Sequence, residues 1–351
     1  VPSRAGGPQD LASRWRRDGH WADRTLPQEL RRAAAEHPGS PVVFHGSAGE
    51  LVTTVGGLHA RALRVAAGLG RLGVRPGDAV AIQVPNWPEG AVAHAAGWLA
   101  GALVVPIAAI YGPAEVSFIL RQSAARVFIV ARHWRGRDCA GLLAGLGSQP
   151  ALSHVVVIGE QLPATTAWAD LESDPQPAAD GASPPPVVSP AADPDDPCLL
   201  VYTSGTTAEP KGVRHSHNTL LSEVRGTAAA RRAPGTRQLA AFPAGHVAGV
   251  LGLLRVLVLG VPSVVMDAWD PVTAASLVAG HRVTSAAGAP VYLATMLDAA
   301  QRSGHDLSSL TEFLTGAADV SPELIERADR AGIAAYRCYG SSEHPTISSG
   351  V

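Results

Sequence analysis

Only three of the 351 residues are cysteine, Cys139, Cys198 and Cys338, and no two of them form a C-x-x-C pair. So few and so widely spaced thiols build neither a disulfide framework nor a zinc site, and they predict a protein of the reducing cytoplasm. Net charge is also scarce. Against 28 Lys and Arg stand 30 Asp and Glu, a formal balance of -2, so the sequence carries no basic footprint for nucleic acid or an anionic membrane. No charged n-region followed by an apolar h-region opens the chain, so no signal peptide is expected. Uninterrupted apolar runs are missing too. Segments 88–112 and 246–266 are broken by Pro and by His94 or Arg255, and each predicts a buried helix followed by a short buried strand, not a membrane insertion. The expected partner is a small molecule.

What is present is enough apolar sequence, 46% of 351 residues, for more than one core. From Pro41 onward, apolar runs of strand length alternate with amphipathic runs of helix length. Strands are predicted at 79–84, 102–107, 126–130 and 154–158, and again at 198–203, 238–242, 262–266, 283–287, 310–315 and 333–340. Between the first of these, residues 54–73 place Leu58, Ala62, Leu63, Val65, Ala66 and Leu69 mostly along one helical face. This alternation predicts an α/β fold with mostly parallel sheets. Residues 171–197, rich in Pro, Asp and Ala, read as a linker or long surface loop. The expected organisation is therefore a loose N-terminal extension over 1–25, a first α/β subdomain over 26–170, the linker, and a second α/β subdomain over 198–351.

The richest local signal is 202-YTSGTTAEPKGVRHSHNTL-220. Glycine lets backbone approach a phosphate, the Ser and Thr hydroxyls and the amides donate to its oxygens, and Lys211 supplies positive charge. A buried strand precedes the loop, and a helix with Ser216 as its cap is expected after it. The loop departs from G-x-x-x-x-G-K-[ST], so a P-loop NTPase is not expected. On composition alone, an ordinary polar turn and a phosphate cradle remain open.

The loop resembles the signature of the adenylate-forming superfamily, which includes acyl- and aryl-CoA synthetases, luciferase and peptide-synthetase adenylation domains. Ala208 stands where that family usually has Gly. Three further stretches resemble family motifs in the same order: 241-AFPAGHVAGVLG-252, 314-LTGAADVSPEL-324 and 339-YGSSEHP-345, the last with Ser342 in place of Thr. The resemblance implies two Rossmann-like subdomains and a set of roles. Thr203, Ser204, Gly205, Thr206, Thr207 and Lys211 would hold the phosphates of ATP or AMP, with Lys211, Thr207 and Glu343 catalytic. Gly316, Ala317 and Ala318 would lie along the adenine, Tyr339 and Gly340 beside it. Ser342 would donate to the α-phosphate and Glu343 would bind Mg²⁺. His246, Val247, Ala248 and Gly249 would wall the acyl group.

The resemblance further implies that a carboxylate is activated as acyl-adenylate and passed to a thiol, either coenzyme A or a carrier-protein phosphopantetheine. Family members continue beyond the last motif into a β-barrel and a C-terminal domain, so this chain is expected to be the N-terminal part, truncated before them. A noncatalytic nucleotide- or acyl-binding module is the alternative. Residues 241–252 hold no acidic side chain to pair an ammonium, which disfavours an α-amino acid and favours a nonpolar acid. The loop, together with 14-RWRRDGHWADRTL-26, is similar to bacterial ligases of alicyclic, aromatic or medium-chain acids. Apolar surface near Tyr336–Val351 is expected to be exposed and to favour self-association.

Overall fold

Every strand-length apolar run predicted from the sequence forms a strand, and the strands assemble into two sheets. The computed structural model describes residues 8–174, 193–203, 210–229 and 235–350. The larger sheet has eight strands, in spatial order Ser348–Gly350, Ala334–Tyr339, Glu312–Gly316, Ser285–Gly288, Gln238–Ala240, Ser263–Met266, Pro41–Gly46 and Gly49–Thr54. Its neighbours pair in parallel except at the two edges, where the pairing is antiparallel. The second sheet has seven strands, in the order Lys211–Ser216, Pro197–Thr203, Leu103–Pro106, Ala79–Gln83, Val127–Ala131, His154–Ile158 and Thr166–Ala167. It too is parallel apart from one antiparallel edge pair, Pro197–Thr203 with Lys211–Ser216. No barrel occurs among the described residues.

These sheets cross the expected division at 171–197. The hairpin of residues 41–54 belongs to the sheet built mostly from the second half of the chain, and residues 197–216 complete the sheet built from the first half. Alternating apolar patterns identify a strand but not its parallel neighbour, which is chosen by contacts remote in sequence.

Period-2 alternation divides the strand side chains between layers. Val80 and Ile82 join the central core with Val42, Phe44 and Val265 of the other sheet, while Ala79 and Ala81 face an outer core. Helices Leu26–Glu36, Val55–Arg71, Pro88–Leu99, His217–Ala229 and Val247–Leu259 fill the central layer between the two sheets. Pro271–His281, Pro290–Ser303 and Pro322–Arg330 cover the far face of the larger sheet, and Pro113–Gln122 covers that of the smaller one.

Helix Pro88–Leu99 is buried on all sides, as expected for a helix apolar all round. Small residues allow that packing. A Cβ on Gly97 would lie 2.6 Å from Val104 Cγ2. Trp98 Nε1 donates to the Cys198 carbonyl at 3.0 Å, tying this helix to the strand that leads into the signature loop. No described helix is long and apolar enough to cross a membrane.

Candidate active site

Strand Pro197–Thr203 is buried along its length except at its two ends, as a strand paired on both edges and packed on both faces should be. Ser204, Gly205, Thr206 and Thr207 lie outside the described residues. The chain returns as strand Lys211–Ser216, with Lys211 opposite Thr203. The local order is thus strand, loop, strand, helix. The expected passage from loop to helix contains an additional short strand, because Val213 and His215 alternate inward from exposed Gly212 and Arg214. Helix His217–Ala229 then starts at the expected cap. Thr219 N–H donates to Ser216 Oγ at 3.3 Å, and Ser216 N–H donates to Thr219 Oγ1 at 3.0 Å. Lys211 is exposed at the mouth of the hairpin and is the only lysine in the sequence.

Strands Glu312–Gly316 and Ala334–Tyr339 are parallel neighbours with Gly316 opposite Cys338. The 316–318 and 339–343 segments therefore leave the sheet side by side at its carboxyl end, the usual place for a ligand in an open α/β sheet. Glycine is required at both exits. A Cβ on Gly316 would collide with the Cys338 carbonyl, and one on Gly340 with the Pro345 carbonyl. Ala317 sits at φ 65°, a left-handed conformation that costs an L-residue about 1 kcal/mol or more. Ser321 accepts from Leu324 N–H and Pro322 opens the following helix, as the sequence predicts. Tyr339 is 68% exposed, its ring free to meet a ligand.

One hydrogen bond joins these two groups of residues. His215 Nε2 lies 2.7 Å from the Ser342 carbonyl, and since a carbonyl only accepts, the proton is on Nε2. Burial pushes the His215 pKa down, against the opposing pull of the Ser342 carbonyl and of Glu223 and Glu343, so the ring is neutral. Glu343 is held below the usual carboxylate range by its own backbone N–H and the Ser341 hydroxyl, with Lys211 close enough to add to the effect. The hairpin of Thr203 and Lys211 and the loop of Ser342 and Glu343 are thereby brought within electrostatic reach of each other. An exposed carboxylate kept ionised beside a lysine suits a hard cation carrying phosphate oxygens.

Beside this cluster is a cleft of about 500 Å³ walled by Trp15, Trp21, His215, Glu223, Leu314 and Glu343, among others. The N-terminal residues, expected to be a loose extension, supply one wall. Trp15 and Trp21 pack with ring centroids 5.0 Å apart, and Arg16 bonds Asp23 at 2.9 Å and Asp195 at 2.5 Å. Asn218 donates to both of those aspartates. Sequence reasoning did not select Trp15, Trp21, His215 or Glu223. The alternation in 211–216 was the available signal for His215.

The 246–249 turn does not line this cleft. His246 is exposed at the N-terminus of helix Val247–Leu259, Val247 and Gly249 are buried, and Ala248 is half-buried. Gly249 packs against the backbone of Pro243, where a Cβ would clash, and borders a separate apolar crevice of about 20 Å³. Asn86 holds this turn in place. Its Nδ2 donates to the carbonyls of Phe242 and Met266 at 2.9 and 3.0 Å, and its Oδ1 accepts from Ala244 N–H at 2.9 Å.

An α/β protein with the 316–318 and 339–343 segments at the carboxyl ends of its parallel strands has its candidate site where such sheets take ligands, and comparison with known proteins specifies the family. The family model for AMP-binding enzymes matches residues 30–350. The chain belongs to that family, the adenylate-forming superfamily. It is 28% identical over 94% of its length to a medium-chain fatty-acid–CoA ligase of Escherichia coli (strain K12), covering 57% of that protein. It is 31% identical over 92% of its length to a salicyl-AMP ligase / salicyl-S-ArCP synthetase of Mycobacterium tuberculosis, again covering 57%. The chain thus spans little more than half the length of these relatives. Among solved structures, apo MbtA of Mycobacterium smegmatis superposes with a TM-score of 0.81 at 28% identity, over 96% of this chain and 60% of that one. The N-terminal domain of FACL13 from Mycobacterium tuberculosis gives 0.76 at 25% identity, over 91% and 76%.

Proposed function

We propose that this chain is the nucleotide- and acid-binding part of an acid–thiol ligase that activates a carboxylic acid of nonpolar body as its acyl-adenylate. The observation that carries the reading is the convergence of Lys211 and Glu343, joined through the His215–Ser342 hydrogen bond, beside a cleft large enough for an acid. In the reaction, a carboxylate oxygen attacks the α-phosphorus of ATP, the bond to pyrophosphate breaks, and the mixed anhydride is then opened by a thiol. Coenzyme A is the first candidate for that thiol. A carrier-protein phosphopantetheine is the second, favoured by the relative named as a salicyl-S-ArCP synthetase.

The residues of the chain act by position and charge. Lys211 neutralises negative charge on the phosphates, with the Thr203–Thr207 segment donating beside it. Gly316, Ala317 and Ala318 lie along the adenine, Tyr339 stacks on it, Gly340 gives the backbone room, and Ser342 donates to the α-phosphate. Glu343 would hold Mg²⁺, which when bound offsets phosphate charge. The turn of His246, Val247, Ala248 and Gly249 does not line this cleft and would reach the acid only from the neighbouring apolar crevice.

The test is carboxylate-dependent ATP–pyrophosphate exchange with Mg²⁺ over aliphatic, alicyclic and aromatic acids, paired with AMP binding. Lys211→Ala and Glu343→Ala should each lower exchange by about 100-fold, the size of effect seen when a charge-stabilising donor is removed. Because Lys211 is the only lysine, an amine-reactive adenosine label should mark it and be blocked by AMP. Absence of both AMP binding and labelling would defeat the reading. AMP binding without exchange for any acid would favour a noncatalytic binding module.

A further inference from the structure

The cleft contains a carboxylate that the proposed chemistry leaves unused. Glu223 projects from helix His217–Ala229 into the cleft wall, and its Oε1 is shielded from solvent with no hydrogen-bond partner. Several donors of the surrounding elements are committed elsewhere. Thr227 Oγ1 donates to the Glu223 backbone carbonyl at 2.8 Å, and Thr219 Oγ1 donates to the Ser216 carbonyl at 3.0 Å. His215 gives its Nε2 proton to Ser342, Arg225 pairs with Glu29 at 2.9 Å, and Arg16 pairs with Asp23 and Asp195. A carboxylate oxygen shielded from water without a donor is under-satisfied, and a ligand that supplies the donor satisfies it.

The rest of the wall gives the ligand its other property. Trp15, Trp21 and Leu314 present apolar surface, so the occupant has an apolar or aromatic body. Glu343 lies at the same cleft, close to Lys211, and Glu223 is the second carboxylate on the wall. We infer that the acid is an apolar body carrying a hydrogen-bond-donating substituent, hydroxyl or amino, away from its reacting carboxylate, and that Glu223 selects it. This inference rests on the adenylation reading and refines its nonpolar acid. The absence of acidic residues from 241–252 bears on an α-ammonium next to the carboxylate, whereas Glu223 recognises a donor placed elsewhere.

The experiment compares matched acylsulfamoyl adenosines, mimics of an acyl-adenylate, with phenylpropanoyl, para-hydroxyphenylpropanoyl and para-aminophenylpropanoyl groups. Binding is measured by calorimetry on the full chain, with AMP affinity as the check of fold in every variant. The two donor-bearing analogues should bind at least about tenfold tighter than the parent, the ratio expected of a charge-assisted hydrogen bond. That preference should fall to within about twofold in Glu223→Leu and survive in part in Glu223→Gln, whose carbonyl still accepts. Equal affinities in the unaltered chain, or an undiminished preference in Glu223→Leu, would overturn the inference while leaving adenylation intact. If AMP does not bind to the unaltered chain, the adenylation reading and this inference fall together.

Discussion

His94 and His217 are the residues through which acidity acts most directly on this molecule. His94 is wholly buried, with Nδ1 donating to the Gly90 carbonyl at 2.8 Å and Nε2 without a partner. His217 Nδ1 accepts from Leu26 N–H at 3.1 Å, which requires that nitrogen to be unprotonated. Burial pushes each pKa from the ordinary 6.5 down to about 4. Between these values the unfolded chain binds protons that the folded chain refuses, so the stabilisation is fully present above about pH 6.5 and is lost as pH falls towards 4. At about 1.4 kcal/mol per unit, each histidine accounts for about 2 kcal/mol of the loss between pH 7 and 5. Urea unfolding at the two pH values should show that loss, and His94→Leu should reduce it by about one histidine's share. An unchanged pH dependence in that variant would show that His94 already takes its proton in the fold.

At the scale of elements, helix Leu26–Glu36 and helix His217–Ala229 are joined by a carboxylate. Glu29 is fully buried and lies within 2.9 Å of Arg24, Arg32 and Arg225. Burial alone would raise its pKa, but hydrogen bonds from Arg32 and Arg225 prevail and hold it below the usual range. Removing the acid leaves three arginines facing one another, although all three reach solvent. Glu29→Ala should therefore cost about 2 to 3 kcal/mol, less than a fully buried pair, as read by chemical denaturation. The loss should shrink in Glu29→Ala/Arg225→Leu if repulsion among the arginines is its cause. Helix His217–Ala229 was legible in the sequence from Ser216 as its cap, whereas helix Leu26–Glu36 was not read from it. Their shared ion cluster was not legible either, since residues 29 and 225 meet only through the tertiary fold. The strand Lys211–Ser216 was missed for a similar reason: six residues that alternate only weakly at a sheet edge read as loop.

At the scale of the whole molecule, the two sheets meet at Asn86. Its side chain, on the loop after strand Ala79–Gln83, binds three backbone groups at the ends of strands in the other sheet. Asn86→Ala leaves a buried N–H and two carbonyls without their partner and should cost about 1 to 3 kcal/mol. It should also loosen the turn before His246, so exchange should lose affinity for the acid more than for ATP. Equal effects on both substrates would make Asn86 purely structural.

The sequence by itself determined the ten apolar strands predicted from it, several helices, the α/β class and the order of the nucleotide motifs, because these depend on local periodicity, caps and loop chemistry. It also marked Lys211 and Glu343, though 132 positions separate them. Only the tertiary structure decided that residues 41–54 and 197–216 exchange sheets, that the N-terminal tryptophans wall the cleft, and that His215 and Glu223 stand beside the motifs. Each of those outcomes depends on which surfaces pack together, and pairing between remote segments leaves no periodic trace in the chain.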